Sequence, residues 1–217
     1  MRRGGVLVCA GALVALAGCT EPEGSGAVAT GSQGPSPAAA KCRPTPGEDD
    51  GPAAAPADTP SRVRLGPGGD VEPTAQAVAI SRKGTALLLT GVVYAEDCGT
   101  PLAGATVRAW QTTADGRYGP GGSSAAGTEC CYLQGEIRTD GRGRYAFDTV
   151  VPGRYAESDP PPRHIHLAIS HPRAQGLTTE LRFAGDPGVA AGDPLAVTPT
   201  DEGPFLQVEF PVVLRRR

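Results

Sequence analysis

From residue 84 onward the chain repeats one pattern: a short run of alternating or wholly apolar residues, then a cluster of Gly, Asp, Pro or Thr. "TALLLTGVVYA" (85–95) is apolar and rich in strand formers, "DCGTPLAG" (97–104) reads as a turn, and "ATVRAWQT" (105–112) alternates. "ADGRYG" (114–119) is another turn, and "GEIRTDGRGRYAFDTV" (135–150) reads as strand, turn, strand. "RHIHLAIS" (163–170), "LTTELRFAG" (177–185) and "LQVEFPVVL" (206–214) complete the series. A two-residue period places successive side chains on opposite faces of a strand, and Gly and Asp supply the backbone freedom of tight reversals. Seven or eight short strands without an amphipathic helix predict an all-β protein built as an antiparallel β-sandwich.

The first third of the chain has a different texture. Gly 31 and Pro 22 are high for 217 residues, a composition of loop-rich stretches. "MRR" followed by "GGVLVCAGALVALAG" is a positive start and an apolar run of signal-peptide length, short for a membrane span. It ends in "LAGC" (16–19), which resembles a bacterial lipoprotein signal, with an ordinary secretory signal as the alternative. The reading is a signal peptide over 1–18, a lipidated Cys19 that holds the protein on a membrane surface outside the cytoplasm, a disordered Pro/Gly/Ala-rich tether over 19–61, and a domain over 62–217. The formal charge of −3 lacks the clustered basic surface that nucleic acid requires. Export implies an oxidising compartment. Cys42, Cys98, Cys130 and Cys131 then allow two disulfides in three pairings. A bond between the adjacent Cys130 and Cys131 is disfavoured, and Cys42 is placed to pin its segment to the domain. Oligomeric state is not legible.

The chain has three histidines, and two of them stand one residue apart in "PPPRHIHLAIS" (160–170). In a strand His164 and His166 share a face and Ile165 takes the other. Two imidazoles side by side suit a metal ion, though a strand edge explains them as well. Trp110 reads as a core filler, Tyr94, Tyr132 and Tyr145 as packing residues, His171 as a surface residue, and Asp186 as a turn former.

"GVVYAEDCGTPLAGATVRAWQTTADGRYG", "GEIRTDGRGRYAFDTVVPGRY", "RHIHLAI" and "LTTELRFAGDP", in this order, resemble the intradiol ring-cleavage dioxygenases, the catechol and protocatechuate dioxygenase superfamily. The resemblance covers roughly residues 84–187 and is looser at "CRPTPGEDDGP" (42–52). It implies a prealbumin-like, intradiol-type sandwich that holds a non-haem Fe(3+) ion through Tyr118, Tyr155, His164 and His166. Fe(3+) is a hard cation that favours anionic oxygen donors and accepts imidazole, and a bound cation stabilises a phenolate that would otherwise stay protonated. The implied reaction cleaves a small aromatic diol with O2 to a muconate-type diacid, with Tyr155 accepting a proton as the diol binds and no organic cofactor. Two positions depart from the family pattern. Many members carry an arginine three residues before the first histidine, where this chain has Pro161; Arg163 is the candidate in its place. The family's glutamine in "LTTQ" is Glu180 here, a further candidate catalytic residue. The short connection from Tyr155 to His164 resembles that of compact, exported members. The competing readings are a non-catalytic prealbumin-like or carboxypeptidase-regulatory-like binding sandwich, and a copper or zinc protein that uses the histidine pair alone.

Overall fold

The alternating runs become strands, and the turn clusters between them become reversals. A computed structural model describes residues 42–48, the backbone of 64–66, and residues 84–119, 133–156 and 158–217. The signal segment, Cys19, Cys130, Cys131, Tyr132 and most of the stretch read as tether lie outside the described residues. The strands are β1 (Arg64–Gly66), β2 (Ala86–Tyr94), β3 (Thr106–Gln111), β4 (Leu133–Arg138), β5 (Arg144–Val150), β6 (His164–Ser170), β7 (Leu177–Phe183), β8 (Ala196–Val197), β9 (Thr200–Asp201), β10 (Leu206–Glu209) and β11 (Val212–Val213). No helix occurs among the described residues. One sheet runs β1-β5-β2-β10-β9 with β11 also on β2, and the other runs β4-β3-β6-β7-β8.

The long strands pair antiparallel, as expected: Leu89 faces Phe147 across β2 and β5. Both sheets are nevertheless mixed, because β10 and β11 run parallel to β2 and β8 runs parallel to β7. Parallel partners need a long return connection, and the segment between β7 and β8 provides one for the β7–β8 pair. "LQVEFPVVL" forms two short strands rather than one. Pro211 has no N–H to give the ladder, and the Phe210 carbonyl leaves it to accept the Tyr145 hydroxyl at 2.6 Å. Gly91 makes room for this, since a Cβ there would stand 2.3 Å from the Phe210 oxygen.

The inner faces of the two sheets share one apolar core. Leu87, Leu89, Phe147 and Val208 from the first sheet pack in one cluster with Val107, Ile165, Leu167 and Leu181 from the second. Trp110 is buried, but on the opposite face, against Tyr118 rather than in this core. His171 is buried rather than on the surface, its Nδ1 accepting the Arg173 N–H at 3.2 Å.

Residues 42–48 form a strap along the domain. Cys42 is bonded to Cys98 with Cα atoms 5.8 Å apart. Thr45 N–H donates to the Val213 carbonyl at 3.0 Å, Glu48 N–H to the Thr178 carbonyl at 2.9 Å, and the Thr179 hydroxyl to the Pro46 carbonyl at 2.7 Å. This is one of the pairings the four cysteines allow, and it pins the Cys42 segment to the domain as expected. The strap's backbone bonds bring Cys42 to the turn that carries Cys98.

Candidate metal centre

The centre stands on the outer face of the second sheet. Along β6, Ile165, Leu167 and Ile169 turn to the core, so His164, His166 and Ala168 turn away from it. Trp110 lies directly opposite His166 across β3 and β6, and the two rings stack with centroids 5.0 Å apart and planes 17° from parallel. Tyr118 closes over this pair, which explains why β6 is buried on both faces at its start.

Both tyrosines sit on loops, and glycines bring the loops together. A Cβ on Gly116 would stand 2.0 Å from the Arg154 carbonyl oxygen, and one on Gly153 would stand 2.5 Å from the Ala114 oxygen and the Gly116 nitrogen. Gly116 also takes φ +80, a conformation that disfavours any side chain. With no side chains between them, the two backbones touch. Gly153 N–H donates to the Thr113 carbonyl at 2.9 Å, and the Thr112 hydroxyl to the Gly153 carbonyl at 2.9 Å. Tyr118 and Tyr155 each follow such a glycine by two residues, so this contact fixes their separation.

Four donor atoms converge as a result. The Tyr118 hydroxyl lies 2.8 Å from the Tyr155 hydroxyl, 2.8 Å from His166 Nε2 and 3.3 Å from His164 Nε2. The Tyr155 hydroxyl lies 2.8 Å from His164 Nε2. His164 Nδ1 is 2.7 Å from the Pro162 carbonyl, which can only accept, so Nδ1 carries the proton and Nε2 presents its lone pair to the cluster. First-row metals bind such donors at about 2.0–2.1 Å, which sets edges of a coordination polyhedron at about 2.8–3.4 Å. These four separations fall in that interval, so the residues fit a metal ion with two phenol and two imidazole donors.

The surroundings set the protonation. Burial raises the Tyr118 phenol above its ordinary range, and the neighbouring Tyr155 raises it further. Burial, with a smaller contribution from His164, lowers His166 to about 3, so its imidazole is neutral at pH 7. A cation among these groups reverses the balance for a phenol, because it stabilises the anion that burial penalises. Tyr118 is fully buried and Tyr155 half-buried, so the second ring has the freer position.

Glu180 belongs to this surrounding. It faces His166 across β6 and β7, with Oε2 3.7 Å from His166 Nδ1. His164, His166 and Glu180 carry ligand atoms within 4.8 Å of one another. Glu180 Oε1 accepts from Arg182 Nε at 2.7 Å, so the carboxylate is paired. Arg163 takes a different direction. Its guanidinium pairs with Asp186 through Nε at 3.0 Å, its backbone N–H donates to the same carboxylate at 2.9 Å, and it lies over the Phe183 ring. Burial alone would raise the Asp186 carboxyl, but the hydrogen bonds and charge of Arg163 outweigh this and hold it below the usual range. The structure thus gathers Tyr118, Tyr155, His164, His166 and Glu180, while Arg163 braces the start of β6 on Asp186. Gly116, Gly153 and Arg182 were not singled out in the sequence. The visible sign of the two glycines was the tripeptide Gly-Arg-Tyr preceding both rings.

A family model described as "Dioxygenase" matches residues 65–206. The chain belongs to the intradiol dioxygenase family. It is similar to catechol 1,2-dioxygenase 2 of Acinetobacter lwoffii, 36% identical over 121 residues that make up 48% of this chain and 42% of that one. It is also similar to the protocatechuate 3,4-dioxygenase beta chain of Burkholderia cepacia, 32% identical over 157 residues, 62% of this chain and 66% of that one. The match thus spans less than two thirds of either relative's length. Among solved structures, the dioxygenase domain of a dioxygenase–carbohydrate-binding fusion from Streptomyces sp. SirexAA-E superposes with a TM-score of 0.59 at 29% identity, covering 80% of this chain and 99% of that one. Catechol 1,2-dioxygenase from Pseudomonas arvilla C-1 gives 0.51 at 28% identity, over 61% and 53% of the two chains. Intradiol family members are ring-cleaving dioxygenases that use non-haem iron, and the four-donor cluster lies on residues that fit such an ion.

Proposed function

We propose that this protein is a non-haem Fe(III) intradiol dioxygenase that opens catecholic rings with O2 to muconate-type diacids. The observation that carries the reading is the convergence of the Tyr155 hydroxyl and the Nε2 atoms of His164 and His166 within 3.3 Å of the Tyr118 hydroxyl. Tyr118, Tyr155, His164 and His166 would hold the ion. A ferric ion there would supply a hard Lewis acid that favours phenolate and catecholate oxygens and makes the bound ring reactive toward O2.

The chain's own groups divide the remaining work. Tyr118 touches the other three donors and is wholly buried, so it fixes the geometry. Tyr155 is half-buried, and its Oη is the place where a proton from the diol is taken up. The Pro162 carbonyl holds the Nδ1 proton of His164 and fixes its tautomer. Trp110, stacked on His166, excludes water from that side of the centre. Glu180 stands behind His166, and Arg163 anchors the entry to β6, which keeps its charge on Asp186. The positive start, the apolar run after it and the "LAGC" motif support an extracytoplasmic enzyme held on membrane lipid through Cys19, and the Cys42–Cys98 disulfide suits that compartment.

The test is to load the purified protein with iron and record its visible spectrum before and after anaerobic addition of catechol, then its oxygen uptake. A tyrosinate colour that shifts with catechol, followed by stoichiometric O2 consumption, is the expected result. A colourless protein with bound iron, or a Tyr155→Phe variant with unaltered spectrum and turnover, overturns the reading.

A further inference from the structure

Arg182 holds three carboxylates, and it stands directly opposite His164 in the β6–β7 pair. Its Nε donates to Glu180 Oε1 at 2.7 Å and its Nη1 to Asp193 Oδ2 at 3.0 Å, and its Nη2 is 3.3 Å from Glu48 Oε1. Every nitrogen of the guanidinium is engaged. Two of these partners are themselves fixed. Asp193 accepts the Leu195 N–H at 2.9 Å through its other oxygen. Glu48 ends the strap that the Cys42–Cys98 disulfide and the bonds to Val213 and Thr178 hold in place. The remaining oxygen of Glu180 faces His166 Nδ1 at 3.7 Å.

A stability argument does not account for this cluster. Arg182, Asp193 and Glu48 are partly exposed, and ion pairs open to water add little to stability, while burying Glu180 carries a desolvation cost that consumes much of its attraction. The arrangement does make sense as an outer support. A carboxylate that accepts from the non-ligating nitrogen of a histidine fixes its tautomer and raises the basicity of the other nitrogen; at 3.7 Å Glu180 is beyond hydrogen-bond length and acts on His166 through its charge. A neutral amide at position 180 supplies less of that charge.

We propose that Arg182, braced by Asp193 and by Glu48 of the strap, is a positioning residue for His166: it aims the Glu180 carboxylate at Nδ1 and thereby strengthens Nε2 as a donor to a cation. The proposal rests on the iron reading of the centre. It adds that the strap, far from the ligands in sequence, is part of the tuning of the site.

The experiment uses the full chain loaded with Fe(III), with Glu180→Gln, Arg182→Gln and Glu48→Gln variants. Arg108→Gln is the control, since it breaks an ion pair of the same sheet, to Glu136 at 2.9 Å between β3 and β4. Three quantities are read: the position of the visible charge-transfer band, the Fe(III)/Fe(II) midpoint potential, and iron retained against a chelator. Glu180→Gln is expected to weaken iron retention about tenfold and to raise the potential, because a neutral neighbour stabilises the ferric state less. Arg182→Gln is expected to weaken iron retention in the same direction, Glu48→Gln by a smaller amount, and Arg108→Gln not at all. If Arg182→Gln does not fold, the partly exposed Glu48→Gln decides. Wild-type protein with iron and colour, and variants that lose only thermal stability, overturn this proposal and leave the iron reading standing. Wild-type protein that takes up no iron overturns both.

Discussion

The tripeptide Gly-Arg-Tyr occurs three times, at 116–118, 143–145 and 153–155, and its tyrosines meet two different fates. Tyr145 lies in the core of the sandwich, its ring against Phe147 and its hydroxyl on the Phe210 carbonyl. Tyr118 and Tyr155 lie outside the same sandwich, their hydroxyls on each other and on two imidazoles. All three rings are held by packing. What separates them is the partner of the hydroxyl. A backbone carbonyl satisfies a phenol and ends the matter, whereas a ring of groups that are all able to give up or share a proton is a place where a cation can replace hydrogen.

The sharpest way to break this contrast is to remove the hydroxyls one at a time. Tyr118→Phe is expected to abolish iron colour and to lower oxygen uptake by more than the about 100-fold that loss of an outer partner costs, as measured by metal assay and an oxygen electrode. A Tyr118→Phe protein with full iron content would make the two regions equivalent. Gly116→Ala follows, because its Cβ would meet the Arg154 oxygen and its backbone has φ +80. It is expected to cost about 1–3 kcal/mol in strain alone and to separate the two tyrosine loops, so denaturant melts and iron colour should fail together. Tyr145→Phe should instead cost about 1–3 kcal/mol of stability through the buried carbonyl it abandons, with metal content and band position unchanged.

Acid sharpens the contrast with a smaller effect. His166 binds its proton only near pH 3 in the metal-free fold, whereas the unfolded chain binds it near 6.5. The unfolded state thus takes up a proton that the native state refuses, so stability should fall as pH drops from about 6.5 toward 3. His166→Asn is expected to flatten that part of a stability-against-pH curve for the metal-free protein, and Tyr145→Phe to leave its slope intact. At alkaline pH the regions behave alike, since burial raises both Tyr118 and Tyr145 above the ordinary phenol range.

The strands were legible because alternation is a local property: β3, β6 and β7 begin and end within a residue or two of the alternating runs. The break at Pro211 was equally local but was obscured by the apolar residues around it. Trp110 and His171 were misplaced for a common reason. Alternation identifies which residues leave the core face, but not whether a loop or turn then covers them. The four donors were legible only through their motifs, "DGRYG", "VPGRY" and "HIH", since nothing in their spacing states that they meet. The contacts that make them meet were hidden. Gly116 against Arg154 is a backbone collision avoided between separate loops, and Arg182 gathers carboxylates from the strap, its own strand and the segment before β8. Such partners are chosen by the finished fold, not by neighbours in the chain.

Placing the donors on the outward face of β6 has an evolutionary consequence. Ile165 and Leu167 pack in the core, while His164 and His166, interleaved with them, face the candidate centre. A lineage can therefore lose or remake its chemistry by substitutions at alternate positions and keep the same sandwich, so descendants that share this architecture need not share its reaction.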